Sequence, residues 1–321
     1  MTSQQERTVP PGPTARAARG GRRRQNGGTL LAQDRRLGYI LVAPVLIVLA
    51  AITAYPLVYN VWNSFHHVDY LIPPLGGFAG LSNYSELFTD HLFIPDLEHT
   101  LGFTIVSVAV ETGIGLAIAL ALNKPFRGRG IVRAAVIIPW AVPTVVSAEL
   151  WREMFDPQSG FVNYILKELH LPLASTTWLD HSWTAWVAIL IADAWRNTPF
   201  VAIILLAGLQ VIPQDIYEAA RIDGASAWQT FRRLTLPLLM PALMVALIFR
   251  TLSSFLIFDV VYIMTGGGPG RSTQVLSTLD YNAFLNDLDF GYGGAVAVAL
   301  IVMALLIASV YVRVFRPEQQ R

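Results

Sequence analysis

Six long apolar blocks constrain the fold of this 321-residue chain more than any other feature. Each block is long enough for a helix to cross the hydrocarbon core of a bilayer, which takes about 20 apolar residues. Only 14% of the residues are charged, against about 25% in ordinary soluble domains, which argues against a large soluble core. The sequence therefore predicts an all-α membrane protein with six transmembrane helices, at roughly 37–63, 101–122, 132–151, 183–209, 236–264 and 295–315.

The ends of the chain differ from the predicted transmembrane domain, residues 37–315. Residues 1–36 carry eight arginines among Pro, Gly and Gln, and this composition predicts a disordered basic tail. They contain no apolar h-region or cleavage motif of a signal peptide. Residues 316–321 form a short C-terminal tail. A basic segment beside a first span usually sets membrane topology, so we expect contact with lipids and no nucleic-acid partner.

The distribution of basic residues predicts the orientation in the membrane. The two tails and the loops near 123–133 and 210–235 hold 18 of the 23 Lys and Arg residues. The three alternate loops hold three basic residues and 12 acidic ones. By the positive-inside rule both termini are then cytoplasmic, as is the loop near 210–235.

This cytoplasmic loop, about 212–237, predicts a helical hairpin on the membrane surface. Pro213 can start a short helix over 214–222, because the missing N–H of proline is not needed at a helix start. Gly224 supplies a left-handed turn residue. Ser226 can cap a second helix that is expected to stop at Pro237. From the residues alone, an amphipathic hairpin lying on lipid headgroups is an equal alternative to a docking element.

The spacing of this loop resembles the E-A-A-x3-G-x9-I-x-L-P pattern of ABC importer permeases, with Leu234 in place of isoleucine. The resemblance implies the type I importer permease fold, in which this loop is the coupling helix that grips a partner ATPase. It also implies that Glu218 faces a basic residue of that ATPase. The implied coupling residues are Glu218, Ala219, Ala220, Asp223 and Gly224.

Other segments are similar to the sugar-permease branch typified by the larger membrane subunit of the maltose transporter. They lie at 195–228, 255–270, 137–143, 151–163 and 43–56. The resemblance implies a second homologous permease, two ATPase subunits and an extracytoplasmic solute-binding protein as partners. The chain departs from the maltose subunit because it lacks extra N-terminal spans and a large inserted outer domain. This departure puts maltose itself in doubt as the substrate.

No nucleotide or metal site is expected in this chain. It contains no G-x-x-x-x-G-K-[ST] motif to cradle phosphates, so ATP and Mg²⁺ are expected on the partner ATPase. The absence of cysteine excludes thiolate ligands and disulfides. No nucleophile–base arrangement appears within the spans, so the chain is predicted to be a transport subunit rather than an enzyme.

Charges inside the spans mark the candidate solute path, because each costs roughly 2.5–3.5 kcal/mol near the bilayer centre. Asp193 and Arg196 are three residues apart and could pair locally, and Pro199 is expected to break their helix. Glu111 is expected to be structural. The rings of Trp140, Trp151 and Trp195 could stack on sugar, but an interfacial belt or packing is the role expected of them. By the resemblance, Arg196, Asn197 and Arg250 fall where the maltose subunit contacts sugar. The predicted path is Asp193, Arg196, Asn197, Arg250, Ser253 and Ser254.

Three functions remain open on the sequence. The first is an ATP-driven, binding-protein-dependent importer for a di- or oligosaccharide. The second is the same machine for glycerol-3-phosphate or another small anion, which Arg196 and Arg250 would suit. The third is a proton-coupled secondary transporter that uses Asp193 and Glu111, although no internal repeat is evident in the chain.

Overall fold

The computed structural model describes residues 27–68 and 77–314, with side chains from residue 40 onward. Residues 1–26 and the C-terminal tail 316–321 lie outside these residues. The last ten residues of the predicted disordered N-terminal tail, 27–36, are helical, because the first helix already begins at Gly27. By Cα proximity the chain divides into two compact units, 1–56 and 57–321, and both candidate sites lie in the second. The elements are α1 (Gly27–Ser64), β1 (His66–His67), β2 (Gly77–Phe78), α2 (Ser82–Thr89), α3 (Phe93–Asn123), α4 (Arg129–Ala141), α5 (Thr144–Met154), α6 (Phe161–Glu168), a 3₁₀ turn (Trp178–Asp180), α7 (Ser182–Val211), α8 (Gln214–Ile222), α9 (Ala227–Thr230), a π-helical turn (Phe231–Thr235), α10 (Leu236–Phe255), α11 (Asp259–Thr265), α12 (Leu276–Leu285) and α13 (Phe290–Val314).

The all-α prediction is confirmed, and five of the six apolar blocks contribute to helices of membrane-spanning length. Among the described residues, five continuous helices are long and apolar enough to cross a bilayer. The pair α4 and α5 gives a sixth apolar region, bent by 93° at its break. The five continuous helices are Ile40–Ser64, Phe93–Asn123, Ser182–Val211, Ala227–Phe255 and Phe290–Val314.

The centre of the second unit is built from α3, α7 and α10, which pack closely along their lengths. Two glycines permit this approach. A Cβ at Gly115 of α3 would lie 2.9 Å from a methyl group of Val201, and one at Gly208 of α7 would lie 2.4 Å from the Cβ of Ala242. Small residues at helix contacts are the usual means of close packing in membranes, where lipid is as apolar as the side chains.

Two sequence expectations about helix breaks are wrong. The helix α7 runs uninterrupted through Pro199, and the second helix of the hairpin does not stop at Pro237. Pro237 instead occupies the first turn of α10, where a missing N–H costs little, and the π-helical turn before it joins α9 to α10.

The breaks lie instead at two other positions. The block 132–151 bends between α4 and α5 at Val142 and Pro143. The block 236–264 ends as a helix at Phe255 and resumes at Asp259. Non-helical backbone at membrane depth is tolerated only where it is buried in protein or lines a cavity. Residues at both breaks line the same cavity.

The loop that follows α11 is fastened to α3 and α7 by polar contacts. A guanidinium nitrogen of Arg271 lies 2.9 Å from the buried carboxylate of Asp96. The indole N–H of Trp186 donates to the carbonyl of Ser272 at 2.9 Å, and the N–H of Leu276 donates to the hydroxyl of Thr100 at 2.9 Å. These bonds fix the position of α12, which begins at Leu276.

Candidate functional sites

The predicted coupling hairpin is present with the expected turn chemistry. The helix α8 begins directly after Pro213, and Gly224 has a φ of +74°, in the left-handed region that favours glycine. Ser226 and Gln229 form a capping box at the start of α9. The N–H of Gln229 donates to the Ser226 hydroxyl at 3.3 Å, and the N–H of Ser226 donates to the Gln229 side-chain oxygen at 2.8 Å.

The hairpin presents a mixed polar and apolar surface. Glu218, Ala219, Asp223 and Gly224 are exposed, whereas Ala220 is buried. The exposed glutamate on a short amphipathic helix can meet a basic group of a partner protein. The structure therefore brings the five predicted coupling residues together on one loop.

Two exposed apolar side chains enlarge this surface. Ile222 is 86% exposed at the end of α8, and Trp228 is 66% exposed on α9, where its ring stacks on Phe231 at 5.7 Å. Exposed aromatic anchors beside a polar rim are typical of protein-binding surfaces. On its inner side the hairpin is anchored by Ile216 and Tyr217, which pack against the core cluster of α3, α7 and α10.

The charges inside the spans form a buried ion triad across those three helices. The Arg250 guanidinium of α10 donates to both carboxylate oxygens of Glu111 on α3. The terminal nitrogen Nη2 donates to Oε1 at 2.8 Å, and Nε donates to Oε2. The same terminal nitrogen lies 2.5 Å from Oδ2 of Asp193 on α7. Glu111 is fully buried, Arg250 is 4% exposed and Asp193 is 8% exposed. Asp193 thus pairs with Arg250 rather than with Arg196, its neighbour on α7.

Asn197 and Arg196 extend this polar chain toward the solvent. The Asn197 amide nitrogen donates to Oδ1 of Asp193 at 2.7 Å. Arg196 donates to the Asn197 side-chain oxygen at 3.1 Å and, through Nε, to the carbonyl of Val142 at 3.2 Å. Within the part of the chain that the structure describes, Arg196 forms no ion pair with a carboxylate. Its charge is therefore free to meet a ligand.

These polar groups line a cavity of about 260 Å³ at the point where the two helix breaks meet α7. The α4–α5 bend and the α10–α11 break each contribute non-helical or terminal backbone beside it. The lining residues are Trp140, Thr144, Asp193, Arg196, Asn197, Arg250, Ser253, Leu256, Ile257, Phe258, Asp259 and Val260.

Five of the six predicted path residues line this cavity, and Ser254 does not. The hydroxyl of Ser254 is fully buried and forms a 2.8 Å hydrogen bond with the hydroxyl of Ser107 on α3. Because Ser253 and Ser254 are adjacent on a helix, their side chains point about 100° apart, and only Ser253 can face the cavity. Glu111 likewise lies outside the lining, behind Arg250.

Sequence reasoning did not assign seven of the twelve lining residues to the site, and three of these carry a ring or a hydroxyl group. Trp140, Thr144 and Phe258 enter the cavity only because their segments bend. Two prolines in the sequence, Pro139 and Pro143, could have predicted the first bend. No comparable residue marks the second break, since the segment Leu256–Phe258 contains neither proline nor glycine.

The donor set of the cavity suits a polyhydroxylated solute. Carboxylate, amide, guanidinium and hydroxyl groups can accept and donate hydrogen bonds together, and the rings of Trp140 and Phe258 offer flat apolar faces. Among the described residues, no group of three or more His, Asp or Glu side chains is arranged to hold a metal ion.

A family model for the binding-protein-dependent transport system inner membrane component matches residues 113–317. The chain belongs to this family. It is thus a multi-pass membrane protein and a permease subunit of an ABC importer, whose ATPase is a separate chain. Membership argues against the proton-coupled secondary transporter considered above.

Relatives of this permease include named sugar transporters. It is 43% identical over 284 residues to the trehalose/maltose transport system permease protein MalF of Thermococcus litoralis, covering 88% of this chain and 95% of the relative. It is 36% identical to the trehalose transport system permease protein SugA of Mycobacterium tuberculosis, covering 98% and 96%. The sulfoquinovosyl glycerol transport system permease protein SmoG of Agrobacterium fabrum is also 36% identical, with 89% and 92% covered.

A solved structure supports the fold of this permease. A chain from a bacterial ABC transporter involved in the import of the acidic polysaccharide alginate superposes with a TM-score of 0.77. The match covers 91% of this chain and 100% of that chain, at 23% sequence identity. The type I importer permease fold expected from the resemblance is confirmed.

Proposed function

We propose that this permease imports a di- or oligosaccharide. The observation that carries the proposal is the cavity beside α7, which Asp193, Arg196 and Asn197 line together with two aromatic residues at a pair of helix breaks. Sugars are recognised by hydrogen-bond donors and acceptors together with flat apolar rings. The names of the trehalose and maltose permeases among the relatives agree with this substrate class.

The energy for import comes from partner subunits. In this proposal the chain pairs with a second homologous permease, and two ATPases, which hold ATP and Mg²⁺, grip the coupling hairpins. An extracytoplasmic solute-binding protein delivers the sugar. The complex lies in the bacterial cell membrane, with both termini of this chain in the cytoplasm. ATPase closure draws the hairpins together and opens the cavity outward, and hydrolysis resets it, which requires the sugar to bind the two states differently.

A small anionic solute is the second candidate. It is favoured by Arg196, whose guanidinium has no carboxylate partner among the described residues. A guanidinium matches the oxygens of a phosphate or sulfonate in a planar, two-pronged geometry. Glycerol-3-phosphate is the simplest solute of this kind to test.

Uptake by the reconstituted complex distinguishes the two candidates. The permease, its partner permease, the ATPases and the binding protein are placed in liposomes that contain ATP. Uptake of labelled trehalose, maltose and glycerol-3-phosphate is then measured with and without vanadate. We expect vanadate-sensitive uptake of a disaccharide. Uptake of the phosphate ester alone would overturn the sugar proposal, and uptake that persists with vanadate but collapses with an uncoupler would overturn the ATP-driven mechanism.

Two variants connect this experiment to the sites. Arg196→Ala is expected to change solute affinity or selectivity while the complex still assembles, whereas loss of assembly would assign Arg196 a structural role. Glu218→Ala is expected to weaken ATPase docking and the stimulation of ATP hydrolysis by loaded binding protein. Arg152→Ala is the control for both variants. Among the described residues, the one ion pair of Arg152 is with the exposed Glu149 of its own helix. Normal stimulation in Glu218→Ala would contradict the docking assignment.

A further inference from the structure

Three aromatic rings beside the cavity form a cluster that the mechanism above does not use. Phe258, Tyr262 and Tyr281 lie with their ring centres 4.8 to 5.2 Å apart. The ring of Phe258, which directly precedes α11, stacks nearly parallel on the Tyr262 ring of α11, and the third ring comes from α12. We call these three residues the aromatic platform.

The platform is continuous with the cavity. Phe258 lines the cavity, and its ring also contacts both tyrosine rings. Tyr262 lies one helical turn after Phe258, in the direction of the loop that charge counting places on the outer side. Tyr262 is 41% exposed, and Tyr281 is partly exposed. A molecule that leaves the cavity along α11 toward this loop therefore passes over the rings.

Polar groups border the rings. The hydroxyls of Tyr262 and Tyr281 lie 3.2 Å apart, so one can donate to the other and both keep capacity for a further partner. The carboxylate of Asp259 is exposed next to Phe258 and forms no ion pair among the described residues. Flat rings with phenol and carboxylate groups at their edge repeat the chemistry of the cavity itself. In a cluster that faced only lipid, the carboxylate would be an uncompensated energetic cost.

The size of the cavity indicates what the platform is for. Pockets that enclose a drug-sized ligand hold about 300–1,000 Å³, whereas this cavity holds about 260 Å³. It suits a single sugar ring, so a disaccharide must extend beyond it. The platform is the adjoining surface that offers ring faces.

We propose that the aromatic platform is a second sugar subsite, which stacks the outer pyranose ring of a disaccharide while the cavity holds the inner one. This inference rests on the proposed sugar import and deepens it. The position of the platform is fixed rather than adaptable, because α12 is held by the bonds from Leu276 to Thr100 and from Arg271 to Asp96. Tyr262 and Tyr281 thereby become specificity-determining residues that favour two-ring over one-ring solutes.

The absence of cysteine in the chain allows a direct test by thiol protection. Single cysteines are introduced as Ser253→Cys in the cavity, Tyr262→Cys on the platform and Tyr164→Cys as a control tyrosine, which is 61% exposed on α6. Each variant is assembled into the full complex, trapped with vanadate and reacted with a water-soluble maleimide. Labelling is compared without sugar, with glucose and with trehalose or maltose.

We expect both glucose and a disaccharide to slow labelling of Ser253→Cys, and only the disaccharide to slow labelling of Tyr262→Cys by at least about threefold, with Tyr164→Cys unaffected. Protection of Ser253→Cys without protection of Tyr262→Cys would overturn the platform alone. No protection at Ser253→Cys by any sugar would overturn the sugar cavity and the platform with it. Shielding of Tyr262→Cys by the second permease before sugar is added would assign the rings to the subunit interface.

A second pair of variants keeps the test independent of the introduced thiol. Tyr281→Ala is expected to lower disaccharide uptake about two- to tenfold, the range expected when one aromatic contact is removed. Tyr281→Phe keeps the ring and is expected to stay within about twofold of wild type. If both variants lower uptake equally, or if Tyr281→Ala prevents assembly of the complex, stacking of sugar on this ring is excluded.

Discussion

Arg250 and Glu111 form a two-bonded ion pair that joins α10 to α3 inside the permease. Asp193 of α7 shares the same guanidinium, so one cation holds two carboxylates from two other helices. Buried charges are costly to desolvate, and their mutual attraction compensates only while every partner is present. The pair therefore fixes the mutual position of the helices around the cavity.

Removal of the shared cation is expected to destabilise the protein strongly. Arg250→Ala leaves two unpaired carboxylates in the interior, a change that typically costs about 3–5 kcal/mol. Thermal unfolding of the purified complex in detergent measures this loss. Arg152→Ala breaks the exposed pair with Glu149 and is expected to cost at most about 1 kcal/mol. Equal melting temperatures for the two variants would contradict the structural role of the triad.

The turn of the coupling hairpin is expected to depend on backbone conformation at Gly224. Its φ of +74° costs other residues about 1–2 kcal/mol, and a Cβ there would meet no atom within 4 Å, so any effect of Gly224→Ala arises from the backbone. We expect reduced coupling between ATP hydrolysis and uptake in this variant, and a milder defect in Gly224→Asn, because asparagine tolerates this region. Gly130→Ala is the control, since its Cβ also has open space and its φ is not positive. Indistinguishable uptake-to-hydrolysis ratios in all three variants would show that the turn is not required.

The close contact of α7 with α10 is expected to tolerate no side chain at Gly208. A Cβ there would lie 2.4 Å from the Cβ of Ala242 and 2.9 Å from a methyl group of Leu239. Gly208→Ala must push the helices apart, and overpacking of this kind costs about 1–3 kcal/mol. The melting temperature should fall, whereas Gly113→Ala in α3, where nothing lies within 4 Å, should leave it unchanged or raised. A stable Gly208→Ala variant would mean that the helices can separate at no cost.

The carboxyl of Asp280 on the short helix α12 is expected to make stability depend on pH. One of its oxygens is buried without a hydrogen-bond partner among the described residues, and burial raises its pKa from 3.8 to about 7. The folded state keeps this proton while the unfolded state releases it from about pH 4 upward. Stability therefore falls as pH rises from about 4 to about 7 and then levels off.

Asp280→Asn is expected to remove this dependence and to raise the melting temperature at pH 7.5. Melting temperatures between pH 4 and 8 measure the effect. Asp156→Asn serves as a contrast, because hydrogen bonds from Ser159 and Gln158 lower the pKa of that exposed carboxyl and its contribution is lost as pH falls. Parallel pH profiles for wild type and Asp280→Asn would show that the Asp280 carboxyl has the same pKa in the folded and the unfolded protein.

Local sequence patterns were sufficient to predict most helices and the hairpin of this molecule. Apolar blocks of membrane length gave the helix class, and the proline, glycine and serine signals of the hairpin gave its two helices, its left-handed turn and its cap. These features depend on residues within a few positions of one another, which is why the sequence reveals them. The expected breaks at Pro199 and Pro237 were wrong because proline removes only one donor and neighbouring helices can support an intact or π-turned helix.

The sequence by itself determined that this chain spans a membrane, which residues form the hairpin of α8 and α9, and which charges must find partners inside the bilayer. Only the tertiary structure decided that Arg250 takes both Glu111 and Asp193, that Arg196 is left facing the cavity, and that Ser254 turns away from it. These outcomes depend on contacts between helices far apart in the chain, such as the 139 positions that separate Glu111 from Arg250. Helical periodicity fixes the face on which a side chain lies, but the packing of three helices decides what that face meets.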